Sequence, residues 1–269
     1  MGSYLSEKLM KYDIKFSSKI AGLLLFFYLL LGQNNGVFSQ QSVRDSSIFI
    51  PHIDAYYSFG LPSGDLVRRF GYFHNIGLGF YIKDRKSWVY GGETGIQFGD
   101  QVKENTISNL VTSGGGVIDV DGNYAAMKLS MRGINVNAKG GRLFNKWGPN
   151  PNCGFLFLLG VGYWQHRIRV EDVQQKVPQI EGDYQQGYDR LTKGVIFSQY
   201  IGYQLFSNSR LLNLSLGVEF NQSIMRNIRA YNFNEYKKDQ SKRNDNYTAF
   251  KLYWSIPLYK KVPQDFYYD

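Results

Sequence analysis

The sequence has little of what most catalytic and metal-binding sites are built from. Its 269 residues include one cysteine, Cys153, and three histidines. A single cysteine excludes an internal disulfide and a zinc site made of several cysteines. His52, His74 and His166 stand on separate segments, and none has an acidic residue at the i,i+4 spacing of a helical metal site. Phosphate loops and nucleophile elbows are also missing. The sequence therefore predicts no enzyme active site, no metal and no cofactor.

Long apolar runs are missing too, except near the N-terminus. A membrane-spanning helix needs about 20 consecutive apolar residues, whereas the run AGLLLFFYLLL at Ala21–Leu31 is shorter. Four lysines precede it, as in the charged region of a secretory signal: Lys8, Lys11, Lys15 and Lys19. We predict a cleavable signal peptide over residues 1–39, with translation starting at Met1 or Met10, and one domain over residues 40–269.

The net charge of +9 does not indicate nucleic acid as a partner. The basic residues are scattered through the predicted loops and do not gather on one helix face. Nucleic-acid-binding domains concentrate their positive charge on one face, so this class is excluded.

What the mature chain does contain is alternation of apolar and polar residues with period two. The clearest segment is Leu211–Gln222, where apolar residues fall on one face and polar residues on the other. Seven further segments alternate in the same way: Asn75–Lys83, Tyr247–Tyr259, Ile48–Ser58, Trp88–Phe98, Ala125–Val136, Gly154–Arg167 and Val195–Phe206. The sequence thus predicts an all-β fold, a small antiparallel transmembrane β-barrel of about eight strands.

The predicted connections differ in length in a regular order. The links Asp84–Ser87 and Ser207–Arg210 are short, whereas the links after the first, third, fifth and seventh strands are long. Outer-membrane barrels have short periplasmic turns and long extracellular loops, so we predict the outer membrane of a Gram-negative cell as the location. The exception is Lys139–Asn152, which is rich in Gly, Pro and Asn and is predicted to be a periplasmic protrusion.

A soluble barrel of the lipocalin kind is the main alternative fold. It also alternates, but its apolar face turns inward around a ligand. Here the polar face contains charged side chains that are too costly to bury unpaired: Glu93, Lys128, Arg132, Glu219 and Lys251. We predict that they form an ion-pair network in a narrow lumen. Aromatic residues at the predicted strand ends match interfacial girdles: Tyr57, Trp88, Phe98, Tyr163, Tyr203, Phe206, Trp254 and Tyr259.

Several loop sequences resemble those of the PorG family, the small outer-membrane barrels of the type IX secretion system of Bacteroidetes. These sequences are GDLVRRFG from Gly64, GGGVIDVDG from Gly114, GDYQQGYDRLTKG from Gly182, and the FYY near the C-terminus. The resemblance covers the chain from about Ser46 to its end. It implies a non-enzymatic anchor or scaffold of the secretion and gliding machinery. The implied partners are the periplasmic ring lipoprotein (PorK- or GldK-like) and its companion (PorN- or GldN-like).

Two segments are predicted to contact that ring, because both lie on the predicted periplasmic side. They are Lys139–Asn152 and Pro263–Asp269, and the individual candidates are Lys139, Arg142, Trp147, Phe266, Tyr267 and Tyr268. The barrel itself is expected to contact outer-membrane lipid. A barrel of eight strands is too narrow for an open channel, so porin activity is not expected.

Two other functions stay open at the level of sequence. The first is a lipid A modifying enzyme, which typically uses a serine and a histidine near the outer rim; His74 with Ser58 or Ser63 is the candidate pair. The second is an OmpA-like surface barrel without machine partners.

Overall fold

The computed structural model describes residues 46–174, 176–207, 212–239 and 241–258. The predicted signal peptide and Phe266, Tyr267 and Tyr268 lie outside the described residues. The strands are β1 (Ile50–Gly64), β2 (Phe73–Lys83), β3 (Trp88–Gly99), β4 (Met127–Phe144), β5 (Gly154–Asp172), β6 (Thr192–Leu205), β7 (Leu214–Asn227), β8 (Lys242–Arg243) and β9 (Asp245–Pro257). Within the described residues, no helix is long and apolar enough to span a membrane.

Eight of these strands close into an antiparallel barrel. Each of β1 to β7 pairs with the next strand, and β9 pairs with both β7 and β1. The two-residue strand β8 extends the sheet beside the end of β7. Closure gives every barrel strand two neighbours, which removes the exposed edges of an open sheet. The predicted fold class, a small antiparallel barrel of eight strands, is confirmed.

The connections form two different ends. Residues 84–87, 145–153, 206–207 and 212–213 make the short-turn rim, and the loop residues 65–72, 100–126, 173–174, 176–191, 228–239 and 241 make the long-loop rim. The connection predicted over Lys139–Asn152 begins later than expected, and its predicted start was wrong, because Lys139 to Phe144 belong to β4. Gly141 is needed there for close strand contact: a Cβ atom on it would lie 1.9 Å from the carbonyl oxygen of Phe157.

The outer wall is apolar over most of its height. Along β6 the outward residues from Val195 to Leu205 are apolar or aromatic except Gln199, which donates to Gln222 of β7, and Phe197 and Ile201 are about half exposed. Ten residue steps of about 3.3 Å, inclined by roughly 40°, give an apolar band of about 25 Å, which is the height that outer-membrane barrels present to lipid.

The inner wall of the same strands is filled by polar and aromatic side chains. Tyr56, Tyr81, Tyr200 and Tyr253 form a buried cluster across the lumen. Small residues on neighbouring strands make room for these rings: a Cβ atom on Gly95 would lie 2.1 Å from the hydroxyl oxygen of Tyr56. Gly95 and the lumen tyrosine Tyr56 are therefore partners in one packing arrangement.

The polarity of the two walls reverses near the long-loop rim. On β4, going toward this rim, the outward side chain changes from the apolar Ile134 to the charged Arg132. The next residue, Met131, faces inward and is fully buried. On β7 the outward residues change from Ile224 to Arg226, beside the buried Met225. Below this level apolar side chains face outward, and above it they face inward to pack against the loops.

Candidate functional site

Four charged side chains meet in the middle of the lumen. Glu93 (β3), Lys139 (β4), Glu219 (β7) and Lys251 (β9) are all buried, and we call them the lumen cluster. Lys139 Nζ lies 2.8 Å from Glu93 Oε1, and Lys251 Nζ lies 2.6 Å from the same oxygen. Lys251 also donates to Glu219 at 3.1 Å, and Lys139 donates to Glu219 as well. Two carboxylates and two ammonium groups thus neutralise each other.

Tyrosine hydroxyls complete this cluster. Tyr81 and Tyr253 donate to Glu93 Oε2 at 2.9 Å and 2.7 Å, and Lys251 Nζ lies 4.1 Å from the ring centroid of Tyr56. A buried ion pair is stable only when its remaining polar atoms are satisfied, and here both oxygens of Glu93 have donors. The arrangement suits a structural plug, because its acids and bases are all engaged with each other.

The structure brings together three of the five residues predicted for the lumen network, Glu93, Glu219 and Lys251. It does not bring Lys128 or Arg132 to them. Both stand on the outward side of β4 near the long-loop rim, and Lys128 pairs there with Asp100 at 3.6 Å. Their prediction was wrong because the polar side of β4 faces outward at this level, where the lumen side packs against apolar loop residues.

Lys139 was predicted at a periplasmic contact and lies instead in the lumen cluster. A signal for this position is present in the sequence, since Asn137 and Lys139 continue the polar face of Asn135 beyond Val136. Arg142 and Trp147 do lie at the short-turn rim. Arg142 is exposed and stacks over the Trp88 ring with 5.7 Å to its centroid, and the Trp147 side chain is 68% exposed.

The short-turn end of the lumen is filled by the start of the described chain. Ile48 and Ile50 pack with Cys153 and Phe206 in a buried apolar cluster, and Lys83 Nζ donates to the carbonyl oxygen of Ile48 at 3.3 Å. Phe206 therefore lies inside the barrel, and its predicted place in an interfacial girdle was wrong.

A cavity just above this end, beside Asp54 and Tyr253, has a volume of about 10 Å³. This volume is no more than one water molecule needs. The lumen between the buried apolar cluster at the short-turn end and the lumen cluster is thus closely packed.

The long-loop end is covered by loops that are joined through buried arginines. Arg69 donates to Glu104 at 2.7 Å and to the Thr192 hydroxyl at 2.8 Å. Arg190, also buried, pairs with Glu104 at 3.0 Å and with Glu235 at 2.9 Å. Burial lowers the pKa of the Arg69 guanidinium, and the facing Glu104 carboxylate opposes that shift. We call Arg69, Glu104, Arg190 and Glu235 the loop lock.

Below the loop lock, the lumen is filled by an aromatic and polar layer. The His166 ring nitrogen Nε2 lies 3.0 Å from Asp245 Oδ2, and Trp164 Nε1 donates to Gln97 at 2.6 Å. Phe70, from the first loop, packs edge-on against the His166 ring at 5.5 Å. A histidine and a carboxylate are therefore adjacent here, but they are enclosed by packed side chains.

The candidate catalytic pair of the enzyme alternative is not assembled. His74 faces outward, where its Nδ1 lies 2.7 Å from the Tyr57 hydroxyl, and Phe59 and Phe98 pack around its ring. Ser58 faces the lumen and is buried. Among the described residues no hydrogen bond joins His74 to Ser58 or Ser63, so the geometry lacks the nucleophile and base contact that such chemistry needs.

An open cleft of about 540 Å³ lies among the long loops. Aromatic and uncharged polar side chains line it: Asn109, Pro178, Gln179, Tyr184, Tyr188, Phe233 and Tyr236. Within the described ranges, no group of three His, Cys, Asp or Glu side chains is placed to hold a metal ion there or elsewhere.

Comparison with known proteins adds only distant similarities. No protein-family model matches the chain, and no curated protein matches it in sequence. Among solved structures, Neisserial surface protein A (NspA) is 11% identical, with a TM-score of 0.38 over 77% of this chain and 96% of that one. Ail, the attachment invasion locus protein of Yersinia pestis, is 10% identical, with a TM-score of 0.37 over 77% and 98% of the two chains. Values this low say nothing about shared function.

Proposed function

We propose that this chain is an outer-membrane β-barrel that serves as a non-enzymatic anchor of the type IX secretion machinery. The reversal of wall polarity is the observation that supports a location in the membrane. Val195 and Ile224 are exposed on the outer wall, and Lys193 and Arg226 lie two residues from them on the same faces, toward the long-loop rim. A soluble barrel gains nothing from an apolar exterior bounded by charge at one level, whereas a lipid bilayer requires it.

A structural function fits the lumen better than transport does. The lumen cluster, the packed residues below it and the loop lock above it fill the barrel along its axis. An eight-stranded barrel has room only for such side chains. We therefore expect no stable ion conductance when the protein is placed in a planar bilayer, and function through surfaces at its two rims.

The short-turn rim is the surface that we propose for the ring partners. Short turns face the periplasm in outer-membrane barrels, and the turn 145–153 presents Trp147 and the nearby Arg142 to solvent. Exposed aromatic and arginine side chains are the residue types that most often anchor protein interfaces. The identity of the partners, a PorK- or GldK-like lipoprotein and a PorN- or GldN-like companion, rests on the resemblance of the loop sequences to the PorG family.

Affinity purification tests this function directly. A tagged copy is purified from gently solubilised membranes, and the co-purified proteins are identified by mass spectrometry. We expect the ring lipoprotein and its companion to be recovered, and we expect secretion to fail in a deletion strain. Recovery of the barrel alone, with secretion intact after deletion, would contradict the proposal and favour the OmpA-like surface barrel.

A matched pair of variants tests the surface. Trp147→Ala should reduce recovery of the ring, whereas Trp88→Ala should not, although Trp88 is also exposed at this rim. Hot-spot tryptophans contribute about 2 kcal/mol or more to an interface, so the loss should be large enough to see on a gel. Equal recovery with both variants would move the contact away from the turn 145–153.

A further inference from the structure

A row of positive charge follows the outer wall at the level where its polarity reverses. It consists of the outward-facing residues Arg132 (β4), Arg167 (β5), Lys193 (β6), Arg226 (β7) and Lys242 (β8), which we call the outer cationic arc. The strand register places its members side by side. Arg132 is opposite Arg167, Lys193 is opposite Arg226, and Arg226 is opposite Lys242.

This arrangement is unfavourable for the barrel alone. Like charges directly opposite each other on one face destabilise a sheet. Arg167 has a distant partner in Asp189, at 3.8 Å, but the other four arc residues form no ion pair with any described residue. Neighbouring cations outside the arc do have partners: Arg169 lies 2.5 Å from Glu171. An acidic partner is thus present immediately above the arc on the same face of β5, but not along the arc itself.

The arc also has a definite position relative to lipid. On β4, β6 and β7, exposed apolar residues lie two positions away from the arc toward the short-turn rim: Ile134, Val195 and Ile224. On the other side of the barrel this level carries aromatic residues instead, where Tyr57, Phe59 and Phe98 surround His74. One half of the rim is therefore cationic and the other is not.

We propose that the outer cationic arc binds the phosphate groups of a phosphorylated glycolipid in the outer leaflet. Guanidinium groups bind phosphate through paired hydrogen bonds, and lysines add point charges. Four steps between neighbouring strands, at about 4.8 Å each, make the arc about 19 Å wide, which suits more than one phosphate. The apolar band directly below it suits the acyl chains of the same molecule. This inference rests on the membrane part of the proposed function.

Lipid A with two phosphates is the probe that tests it. The detergent-solubilised barrel is titrated with this lipid, and the bound fraction is measured by native mass spectrometry. The variant Lys193→Gln with Arg226→Gln should bind about thirtyfold more weakly. The control is Arg68→Gln with Lys103→Gln, which removes the same charge from exposed loop positions outside the arc, and it should bind like the unaltered protein. Heat-modifiable electrophoretic mobility checks that each variant is a folded barrel.

Three further comparisons decide the result. Lipid A without phosphates should bind all forms equally weakly, and inorganic pyrophosphate at the same concentration should not displace the lipid. Equal binding by the arc variant and the control, or displacement by pyrophosphate, would overturn the inference. Protection of the unaltered barrel from protease in vesicles is measured separately. Failure of that protection contradicts membrane residence itself, whereas protection without phosphate-dependent binding contradicts only the arc.

Discussion

The lumen cluster and the outer cationic arc are built from charged side chains on overlapping sets of strands, and they differ in whether the charges have partners. Inside, Glu93 accepts from two lysines and two tyrosines. Outside, Lys193 and Arg226 face each other with no described acidic side chain in ion-pair contact. Charged side chains that form ion pairs with each other stabilise a fold, whereas charged side chains without partners are available to a ligand. We therefore expect substitutions in the two regions to have opposite consequences.

The largest expected effect comes from opening the lumen cluster. Glu93→Ala leaves Lys139 and Lys251 with only Glu219 as a counter-charge in a buried site. Removing one partner of a buried ion pair typically costs about 3–5 kcal/mol, so the free energy of unfolding in neutral-lipid vesicles should fall by that amount. Urea titration followed by gel mobility measures it.

The control lies on the same strand. Ile96→Ala removes an outward-facing side chain that is 57% exposed and should lower the free energy of unfolding less, measured in the same vesicles. A double variant, Glu93→Gln with Lys139→Gln, keeps the charge balanced and should lose less than the sum of its single variants. If Glu93→Ala were as stable as Ile96→Ala, the lumen cluster would have no structural role.

A smaller effect is expected at the loop lock, which is also internally paired but lies nearer to solvent. Glu104→Gln removes the carboxylate shared by Arg69 and Arg190. Because the Glu104 side chain is 26% exposed, water compensates in part, and we expect a loss of about 1–3 kcal/mol, confined to the loops. Limited proteolysis should cut the loops faster while the barrel keeps its heat-modifiable mobility. Unchanged cleavage rates would show that the apolar loop core alone holds the loops.

The sequence predicts the strands well where one polarity pattern holds along a whole strand. On β7, Leu216 and Phe220 face outward and Glu219 faces inward, as their alternation predicts. On β4 the same rule fails, since Arg132 and Ile134 share the outer face. A period-two pattern assigns two faces but cannot tell where the surroundings change from lipid to water.

The loop lock lay beyond sequence reasoning for a different reason. Arg69 and Glu104 are far apart in the chain and belong to loops without periodicity. Only the closure of the barrel brings these loops over one opening, where Arg190 joins them from the β5–β6 connection. Such contacts depend on the three-dimensional path of each loop, which turn residues alone do not specify.

The variant with the smallest expected effect on stability gives the sharpest test of the difference between the lumen cluster and the outer cationic arc. Lys193→Glu places a carboxylate directly opposite Arg226 on the outer wall, at an arc position without an acidic neighbour among the described residues. An opposite-charge pair across two strands contributes roughly 0.2–1 kcal/mol, so the barrel in neutral detergent should become slightly more stable, as measured by urea titration. The same variant should bind bisphosphorylated lipid A more weakly, because it removes one cation and adds an anion at the centre of the arc. A gain in stability together with a loss of binding is what a ligand site predicts. A loss of stability with unchanged lipid binding would instead mean that Lys193 stabilises the fold, as the lumen lysines do through their glutamates.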